Sequence, residues 1–545
     1  MIKTILRHLA TLTTTTVLLA GCTTSPPSID RPPPVRAGDA IARVETRSGP
    51  VLGYEQGGLW IFKGLPYATA ARFKAPQPAP AWTRPRSTRA WGPVCPQEAG
   101  SGVRFDPLAF ILQHDPGFAA EDCLNLNVWT PGVQARRPVM VWLHGGAYST
   151  GSSHEVPVQD GASLARGGVV VVSLNHRLNA LGFLDLSLLG EAGRDSANAG
   201  LLDIVAALRW VQNNIAAFGG DPGNVTIFGQ SGGASKVTDL MTMPMAAGLF
   251  HKAIAQSTFR GELLTPRRSR RITERLLARL RLDPAQPATL DALARLPYAE
   301  LAAAATVALA EVQREAEAAG ERFVPPLGLG FGPTHDGHVL PWQPDEAQAA
   351  TLAARVPLLV GSTHHEFGAA VRPPALRGAS DAQLEAELSR RFGERTGAVR
   401  AAHAAAHPGW SAADAIDTDV HYRRRAVALA EHHAQAGAPV WRYLFDWPSP
   451  VLDGFFKVGH GAEMPFVFDN VQRAVEATGG GPEAYALASR VSAAWRAFAQ
   501  HGDPRAGLPE WAPFTRDGGE TLVIGPRIEL RRRPDHAWLE LNPSR

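Results

Sequence analysis

Residues 228–235, "FGQSGGAS", place Ser231 in a Gly-x-Ser-x-Gly frame directly after an apolar run. A serine hydroxyl becomes a useful nucleophile when it is exposed, paired with a base, and faced by donors that hold a developing oxyanion. Glycines two positions before and after the serine let the chain turn sharply from strand to helix, which presents the hydroxyl at the tip of the turn. The pattern predicts a nucleophile elbow, followed by a helix from Gly232 to about Met241 whose N-terminal N–H groups and dipole face the serine.

A second motif upstream could supply the oxyanion donors. Residues 144–148, "HGGAY", follow an apolar strand and offer consecutive N–H groups that bulky side chains do not obstruct. We predict that Gly146, Ala147 and Gly232 donate to the oxyanion. The alternative is a Gly-rich strand end without a function.

The elements that must position these motifs alternate along the chain. Residues 41–54 alternate apolar and polar around a Ser-Gly-Pro turn, which predicts an N-terminal hairpin. Residues 139–148 and 168–178 contain apolar runs typical of strands buried on both faces of a parallel sheet. Residues 198–220 have helical spacing, with Asn198 available as a cap. This succession predicts an α/β fold with a mostly parallel, doubly wound central sheet.

The second half of the chain continues the pattern with longer helical stretches. Residues 262–320 and 376–435 are helical in pattern, and they flank a buried-strand candidate at 356–361. Strand-like segments return at 440–447 and 520–525. We therefore expect one catalytic domain, residues 41–545, with two helical insertions over the carboxyl ends of the strands.

Composition excludes several classes of function. The chain has 545 residues, 45% hydrophobic and 19% charged, with a net charge of +3, which gives no strongly basic surface for a polyanion. No metal-site spacing, phosphate-binding glycine loop or nucleic-acid platform is evident, and "HHE" at 364–366 lacks the spacing of a helical zinc site. We expect no metal, no cofactor and no nucleic-acid partner.

The N-terminus predicts export. Lys3 and Arg7 precede a short apolar stretch that ends in Leu-Ala-Gly-Cys at residue 22, which resembles a bacterial lipoprotein signal. We expect a signal peptide at 1–21, a lipid on Cys22, a Pro-rich tether at 22–40, and a folded domain held at the cell envelope, at the outer membrane. The alternative is an ordinary secretory signal with an incidental cysteine.

Export also bears on the other two cysteines. Cys95 and Cys123 are an even pair in an oxidising compartment, where a disulfide is the default outcome. Two free buried thiols are the alternative.

Several long motifs resemble one family. These motifs closely resemble the type-B carboxylesterases, the cholinesterase-like branch of the α/β-hydrolases, from about residue 42 to about residue 515; they are "FKGLPYATA" at 62–70, "EDCLNLNVWTP" at 121–131, "VWLHGGAY" at 141–148 and the whole of 198–233. The resemblance implies the α/β-hydrolase fold.

It also implies a Ser, Glu, His triad in that chain order. Glu366, in "GSTHHEFG", and His460, in "VGHGAEMPFVF", resemble the family's acid and base. His460 would take the proton of Ser231 and return it to the leaving alcohol, while Glu366 fixes the tautomer and stabilises the imidazolium. Two histidines beside Glu366 and one in the oxyanion motif do not fit the base position.

Further positions match or depart from the family. Cys95 and Cys123 match its bridged N-terminal loop, and Ser257 matches a serine placed near the acid. Gln230 stands where Glu is usual, which removes a carboxylate beside the nucleophile, and Phe367 stands where Gly is common.

The resemblance predicts a serine carboxylesterase that acts on small-molecule esters through an acyl-enzyme. The loop between the two cysteines has no Trp to stack a quaternary ammonium, so choline esters are not the expected substrates. The alternatives are a catalytically silent binding or adhesion protein on the same fold, or a hydrolase of amides or lactones. The sequence does not indicate the natural substrate or the oligomeric state.

Overall fold

A computed structural model of the chain describes residues 33–97, 108–111, 113–115, 117–259, 261–321, 328–368 and 379–542. The predicted signal peptide, the lipidation residue Cys22 and the first part of the predicted tether lie outside these residues.

Twelve of the described strands form one sheet, in the order β1-β4-β5-β9-β11-β10-β12-β13-β14-β15-β16-β17. The others form a three-stranded sheet, β2-β3-β8, and a two-stranded sheet, β6-β7. The strands are β1 (Val35–Arg36), β2 (Arg43–Thr46), β3 (Gly49–Leu52), β4 (Tyr54–Gln56), β5 (Leu59–Pro66), β6 (Ala68–Thr69), β7 (Gln77–Pro78), β8 (Arg86–Ser87), β9 (Asn125–Thr130), β10 (Arg137–Leu143), β11 (Val170–Leu174), β12 (Gly220–Gln230), β13 (Lys252–Gln256), β14 (Leu358–Thr363), β15 (Val440–Phe445), β16 (Glu520–Ile524) and β17 (Ile528–Arg532).

The centre of the large sheet is parallel. From β11 through β10, β12, β13, β14 and β15 to β16, every neighbouring pair of strands runs in the same direction. Antiparallel pairs flank this parallel part, β9 against β11 on one side and β17 against β16 on the other. The predicted mostly parallel α/β sheet is confirmed.

Helices cover both faces of this sheet. They are α1 (Leu108–Ile111), α2 (Ala162–Arg166), α3 (Asn179–Phe183), α4 (Ala199–Asn214), α5 (Gly232–Met241), α6 (Pro266–Leu280), α7 (Thr289–Arg295), α8 (Tyr298–Ala318), α9 (Ala347–Ala353), α10 (Asp381–Phe392), α11 (Thr396–Ala406), α12 (His421–Gln435), α13 (Met464–Val467), α14 (Val475–Thr478), α15 (Pro482–His501) and α16 (His536–Leu541).

The central strands are apolar at consecutive positions because both of their faces are covered. In β10, Val139 and Val141 pack into a core shared with α4, α5 and α8, whereas Met140 and Trp142 pack into a second core shared with α2 and α15. This double burial explains the uninterrupted apolar runs from which the strands were predicted.

The two predicted insertions are helical where the structure describes them. The first contains α6, α7 and α8, and the second contains α10, α11 and α12. Side chains of α10 and α11 share a small core with the C-terminal helix α16. Among the described residues no single helix has both the length and the apolarity to cross a bilayer; α7 and α8, bent by 115°, meet these criteria only as a pair.

The N-terminal part differs in detail from the sequence expectations. The predicted hairpin at 41–54 is present as the antiparallel pair β2 and β3, but it lies outside the large sheet. Val35 and Arg36, inside the predicted tether, pair with β4, because a free sheet edge accepts an added strand through backbone hydrogen bonds alone. Cys95 and Cys123 form the predicted disulfide, with their Cα atoms 5.0 Å apart.

Candidate active site

The chemistry-bearing residues lie where four neighbouring parallel strands end. Strand β10 leads into the 144–148 motif, β12 into Ser231, β13 into Ser257 and β14 into Glu366. The order β10-β12-β13-β14 therefore puts the predicted oxyanion loop on one side of the serine and the acid on the other. The carboxyl edge of a parallel sheet is where α/β proteins build their sites.

Ser231 occupies the predicted elbow between β12 and α5. Its backbone has φ 58° and ψ −123°, in a region that L-residues rarely adopt, and its N–H donates to the carbonyl of Gln256 at 2.8 Å. A Cβ at Gly229 would lie 2.5 Å from the backbone of Gly233. Strand and helix are so close at this turn that a side chain two positions before the serine would clash, so a glycine is required there.

Glu366 and His460 meet although 94 residues separate them. Nδ1 of His460 contacts Oε2 of Glu366, and the backbone N–H of His460 donates to the Glu366 carbonyl at 2.9 Å. The other carboxylate oxygen accepts from Ser257 Oγ at 2.7 Å and from the N–H of Thr363 at 2.8 Å. These bonds fix the orientation of the carboxylate, and with it that of the imidazole.

The far nitrogen of His460 contacts Gln230. The Gln230 amide nitrogen lies 3.2 Å from Nε2 of His460. Among the described residues, no hydrogen bond joins Nε2 of His460 to Ser231 Oγ. A neutral imidazole that donates from Nδ1 to Glu366 carries its lone pair on Nε2, so we assign the Gln230 amide as the donor. Gln230 and the Ser231 hydroxyl therefore compete for one lone pair.

The predicted oxyanion loop lines the same cavity as the serine. Gly146 and Ala147 border that cavity, and no hydrogen bond among the described residues uses their N–H groups. Gly232 is the first residue of α5, so its N–H has no acceptor within the helix. A Cβ at Gly232 would lie 2.4 Å from backbone atoms of Ala147, which shows how closely the loop and the helix meet.

Four non-glycine residues at this edge have a positive backbone φ. Ala147, Ser231, Ser257 and Glu366 all have φ between 49° and 58°. Non-glycine residues persist in this region only where the surrounding structure enforces it, and such residues cluster at functional sites.

A cavity of about 620 Å³ opens over Ser231, Glu366 and His460. Its wall is predominantly apolar, and its charged or titratable lining residues include His114, Glu155 and Lys457. The apolar wall includes Val156, Val158, Phe259, Phe331, Trp447, Phe456 and Met464. Such a cavity accepts a small apolar molecule and holds the reacting bond away from bulk water.

Two buried carboxyl groups near Glu366 have raised pKa values. Burial, followed by the charge of Glu366, raises the pKa of Glu463 to about 7, and the same two causes raise the pKa of Asp419. Three carboxyl groups in one buried region do not all carry charge at low cost, and Glu366 is the one that faces His460.

Several neighbours of the predicted base, His460, were not predicted from the sequence. Phe367, noted only as a departure from the family, stacks on the His460 ring with centroids 4.2 Å apart, and the Tyr422 ring lies 5.1 Å from it. Glu463 stands in the motif that identified His460, three residues after it, which was a usable signal. Tyr422 comes from the second helical insertion, and its sequence context contained no such signal.

Three buried histidines form the group best suited to a metal among the described residues. Potential ligand atoms of His364, His403 and His407 lie within 4.8 Å of one another. Arg423, however, donates to Nε2 of His407 at 2.8 Å, and His364 contacts Asp446 at 2.9 Å. A cation there would lie beside a guanidinium, so we interpret the group as polar packing behind Glu366. The i, i+4 spacing of His403 and His407 was a signal that the sequence analysis missed.

Comparison with known proteins places this geometry in context. The model of the carboxylesterase family matches residues 40–538. A para-nitrobenzyl esterase of Bacillus subtilis (strain 168) is 35% identical over 507 residues, which span 90% of this chain and 96% of the relative. A phenmedipham hydrolase of Pseudarthrobacter oxydans is 35% identical over 510 residues, with 90% and 97% covered.

Solved structures of esterases are also similar to this chain. An esterase of Clostridium hathewayi, described as hydrolysing aliphatic aromatic polyesters, superposes with a TM-score of 0.81 at 35% identity, over 93% of this chain and 99% of that one. A carboxylesterase of Geobacillus stearothermophilus superposes with a TM-score of 0.72 at 34% identity, over 92% and 99%.

Proposed function

The chain belongs to the carboxylesterase family and is a carboxylic ester hydrolase, and from this premise we propose that Ser231, His460 and Glu366 carry out the reaction. The observation that supports the assignment is the contact of His460 with Glu366 beside a partly exposed elbow serine, within one cavity at the carboxyl edge of the sheet.

In acylation, Ser231 Oγ attacks the ester carbonyl carbon while His460 Nε2 takes the hydroxyl proton. The carbonyl π electrons move to the oxygen, and the N–H groups of Gly146, Ala147 and Gly232 stabilise the resulting oxyanion. Collapse of the tetrahedral intermediate breaks the bond to the alcohol oxygen, which receives the proton from His460.

Deacylation repeats these steps with water as the nucleophile. His460 takes a proton from the water, the new intermediate expels Ser231 Oγ, and the proton returns to that oxygen. The products are the acid and the regenerated serine, and Glu366 stabilises the imidazolium in both halves.

Gln230 sets the resting state of this machinery. Its amide donates to the lone pair that must accept the serine proton, so this contact is exchanged for one with the Ser231 hydroxyl before attack. Catalytic hydrogen bonds are often long in the free enzyme and tighten when substrate binds.

The assignment is tested by replacing Ser231 with Ala. Hydrolysis of p-nitrophenyl butyrate should fall by roughly 10⁴ to 10⁶-fold, and labelling by a fluorophosphonate should disappear. Ser235→Ala is the matched control, because Ser235 is buried on α5 and contacts Thr258 rather than the cavity. Ester hydrolysis at the wild-type rate by the Ser231 variant would refute the assignment, and labelling of the wild type at Ser231 excludes a catalytically silent binding protein.

The cavity supports esters with apolar or aromatic groups as substrates. Its wall carries the aromatic rings of Phe259, Phe331, Trp447 and Phe456, and the relatives include proteins named for aromatic esters. A panel of aryl and alkyl esters of graded acyl length, with the matching anilides and lactones, tests this proposal. A preference for amides or lactones over esters would contradict it.

We also propose that the enzyme is a lipoprotein of the cell envelope, held at the outer membrane by a lipid on Cys22. The proposal rests on the basic start of the chain and on Leu-Ala-Gly-Cys at residue 22. Metabolic labelling with palmitate should mark the wild type but not Cys22→Ala. Release of unlabelled wild type into the soluble periplasm would instead indicate an ordinary secretory signal.

A further inference from the structure

Lys236 is a buried lysine directly behind the predicted oxyanion loop. It lies on α5, five residues after the nucleophile, and has no solvent exposure. Its ammonium donates to the carbonyl of His144 at 2.8 Å and to the carbonyl of Gly145 at 3.3 Å. Among the described residues no carboxylate lies within ion-pair distance of it, and it takes no part in the catalytic steps above.

The two carbonyls belong to the peptides that lead into the oxyanion donors. In a trans peptide the C=O and the following N–H point in opposite directions. Holding the Gly145 carbonyl toward Lys236 therefore turns the N–H of Gly146 away from it. Gly145, Gly146 and Ala147 line the cavity, whereas Lys236 does not. An N–H that points away from Lys236 therefore points toward the cavity, where the reacting bond lies.

Other contacts hold the same segment beside Lys236. His144 reaches the Gly145 carbonyl through its own Nδ1 at 3.0 Å, and its ring stacks on His176 with centroids 4.8 Å apart. Gly146 has φ 77° and Ala147 has φ 51°, so this segment holds a left-handed conformation that external contacts must maintain. Lys236 joins the Gly145 peptide of this segment to the nucleophile helix, while Tyr148 at its other end joins the same helix through a bond to Asp239.

We infer that Lys236 is a positioning residue that aims the Gly146 N–H at the developing oxyanion. An ammonium on a carbonyl oxygen also polarises the rest of the peptide, which strengthens the N–H as a donor. The inference rests on the proposed serine mechanism and specifies what aligns its oxyanion donors.

The electrostatics of the site agree with this role. Burial lowers the pKa of Lys236 to about 7, against the opposing influence of Glu155 and Asp239. An ionisable group whose pKa is strongly shifted by burial, beside a reaction cavity, is typical of functional sites.

The test compares two lysines that both donate to backbone carbonyls of the same domain. Lys236→Met removes the donor and keeps the length of the side chain. Lys252→Met is the matched control, because Lys252 donates to the Ala499 carbonyl at 2.9 Å from the opposite, amino end of β13. Lys236→Arg tests rescue by a cation, and Lys236→Gln provides a second variant if the methionine variant does not fold.

For Lys236→Met we expect kcat on p-nitrophenyl butyrate to fall about 10 to 100-fold, with KM changed less than about threefold. This loss of kcat is somewhat smaller than the loss caused by deleting an oxyanion donor. The inhibition constant of 1-butaneboronic acid, which forms a tetrahedral adduct with the serine, should rise by the same factor. Inhibition by butanol, which forms no oxyanion, should stay constant. Lys236→Arg should recover part of kcat.

Unchanged kcat and unchanged boronate affinity in Lys236→Met would overturn the inference. Equal losses in the Lys236 and Lys252 variants, tracking a fall in thermal stability, would also overturn it, because they would show only a structural role. If Ser231→Ala kept its activity, the serine mechanism itself would fail, and the two failures are therefore distinguishable.

Discussion

Glu463 is a fully buried carboxyl group whose ionisation should make the protein less stable as the pH rises. It has no solvent exposure, and burial together with the charge of Glu366 raises its pKa from 4.5 to about 7. Between these values the folded protein keeps a proton that the unfolded chain has released. The stability contributed by the protonated group is therefore complete below pH 4.5 and is lost as the pH rises through 7.

The size of the effect follows from the shift. A pKa raised from 4.5 to about 7 corresponds to about 3 kcal/mol in total, most of which is lost between pH 5 and pH 8. Glu463→Gln removes the titration and keeps the shape of the side chain. The free energy of unfolding of the wild type, relative to that of this variant, should therefore fall by about 2 to 3 kcal/mol from pH 5 to pH 8.

Urea unfolding at both pH values, followed by tryptophan fluorescence, measures this difference. Titrating groups that do not interact with Glu463 are common to the two proteins and cancel. Glu431→Gln, at an exposed position of α12, is the control for replacing a carboxylate with an amide. A constant difference between the wild type and Glu463→Gln would refute the reasoning, because it would mean that the folded carboxyl titrates as it does in the unfolded chain.

Three further predictions concern the catalytic groups and the disulfide. Gln230→Glu should shift the acid limb of the kcat/KM profile at least about 1 pH unit upward, because opposite charges 3.2 Å apart attract by about 1.3 kcal/mol even at the dielectric constant of water; an unmoved limb in the pH-rate profile would contradict the contact with His460. Ser257→Ala should lower kcat about tenfold at saturating substrate with KM unchanged, since Glu366 loses a 2.7 Å donor; a wild-type kcat would show that the remaining bonds suffice. Replacing both Cys95 and Cys123 by Ala should lower the free energy of unfolding by about 3.5 kcal/mol relative to the wild type in urea titrations without a reductant. With a reductant that opens the disulfide of the wild type, the two proteins should differ in stability by much less.

The fold followed from the sequence because its signals are local. A strand buried on both faces has to be apolar at successive positions, and this predicted β10, β11, β14 and β15 with errors of a few residues at their ends. The elbow was equally local, since glycines at fixed distances from Ser231 are required by the close approach of strand and helix. Helix α5 begins and ends at the predicted residues.

The pairing of Glu366 with His460 needed more than local pattern. Nothing in the spacing of 94 residues indicates contact, and only the resemblance to a family selected these two among 51 acidic residues and 18 histidines. The structure adds a carboxylate held by Ser257 and by the Thr363 N–H, and a Phe367 ring stacked on the imidazole.

The sequence by itself determined which residue types were available and which strands would carry them to one edge of the sheet, because backbone geometry and burial act within a few residues. Only the tertiary structure decided what each side chain faces. It placed the Gln230 amide against the base and the Lys236 ammonium against the oxyanion loop. Such contacts depend on how helices and loops from distant parts of the chain pack, and hydrogen bonding and desolvation act over a few ångströms whatever the separation along the chain.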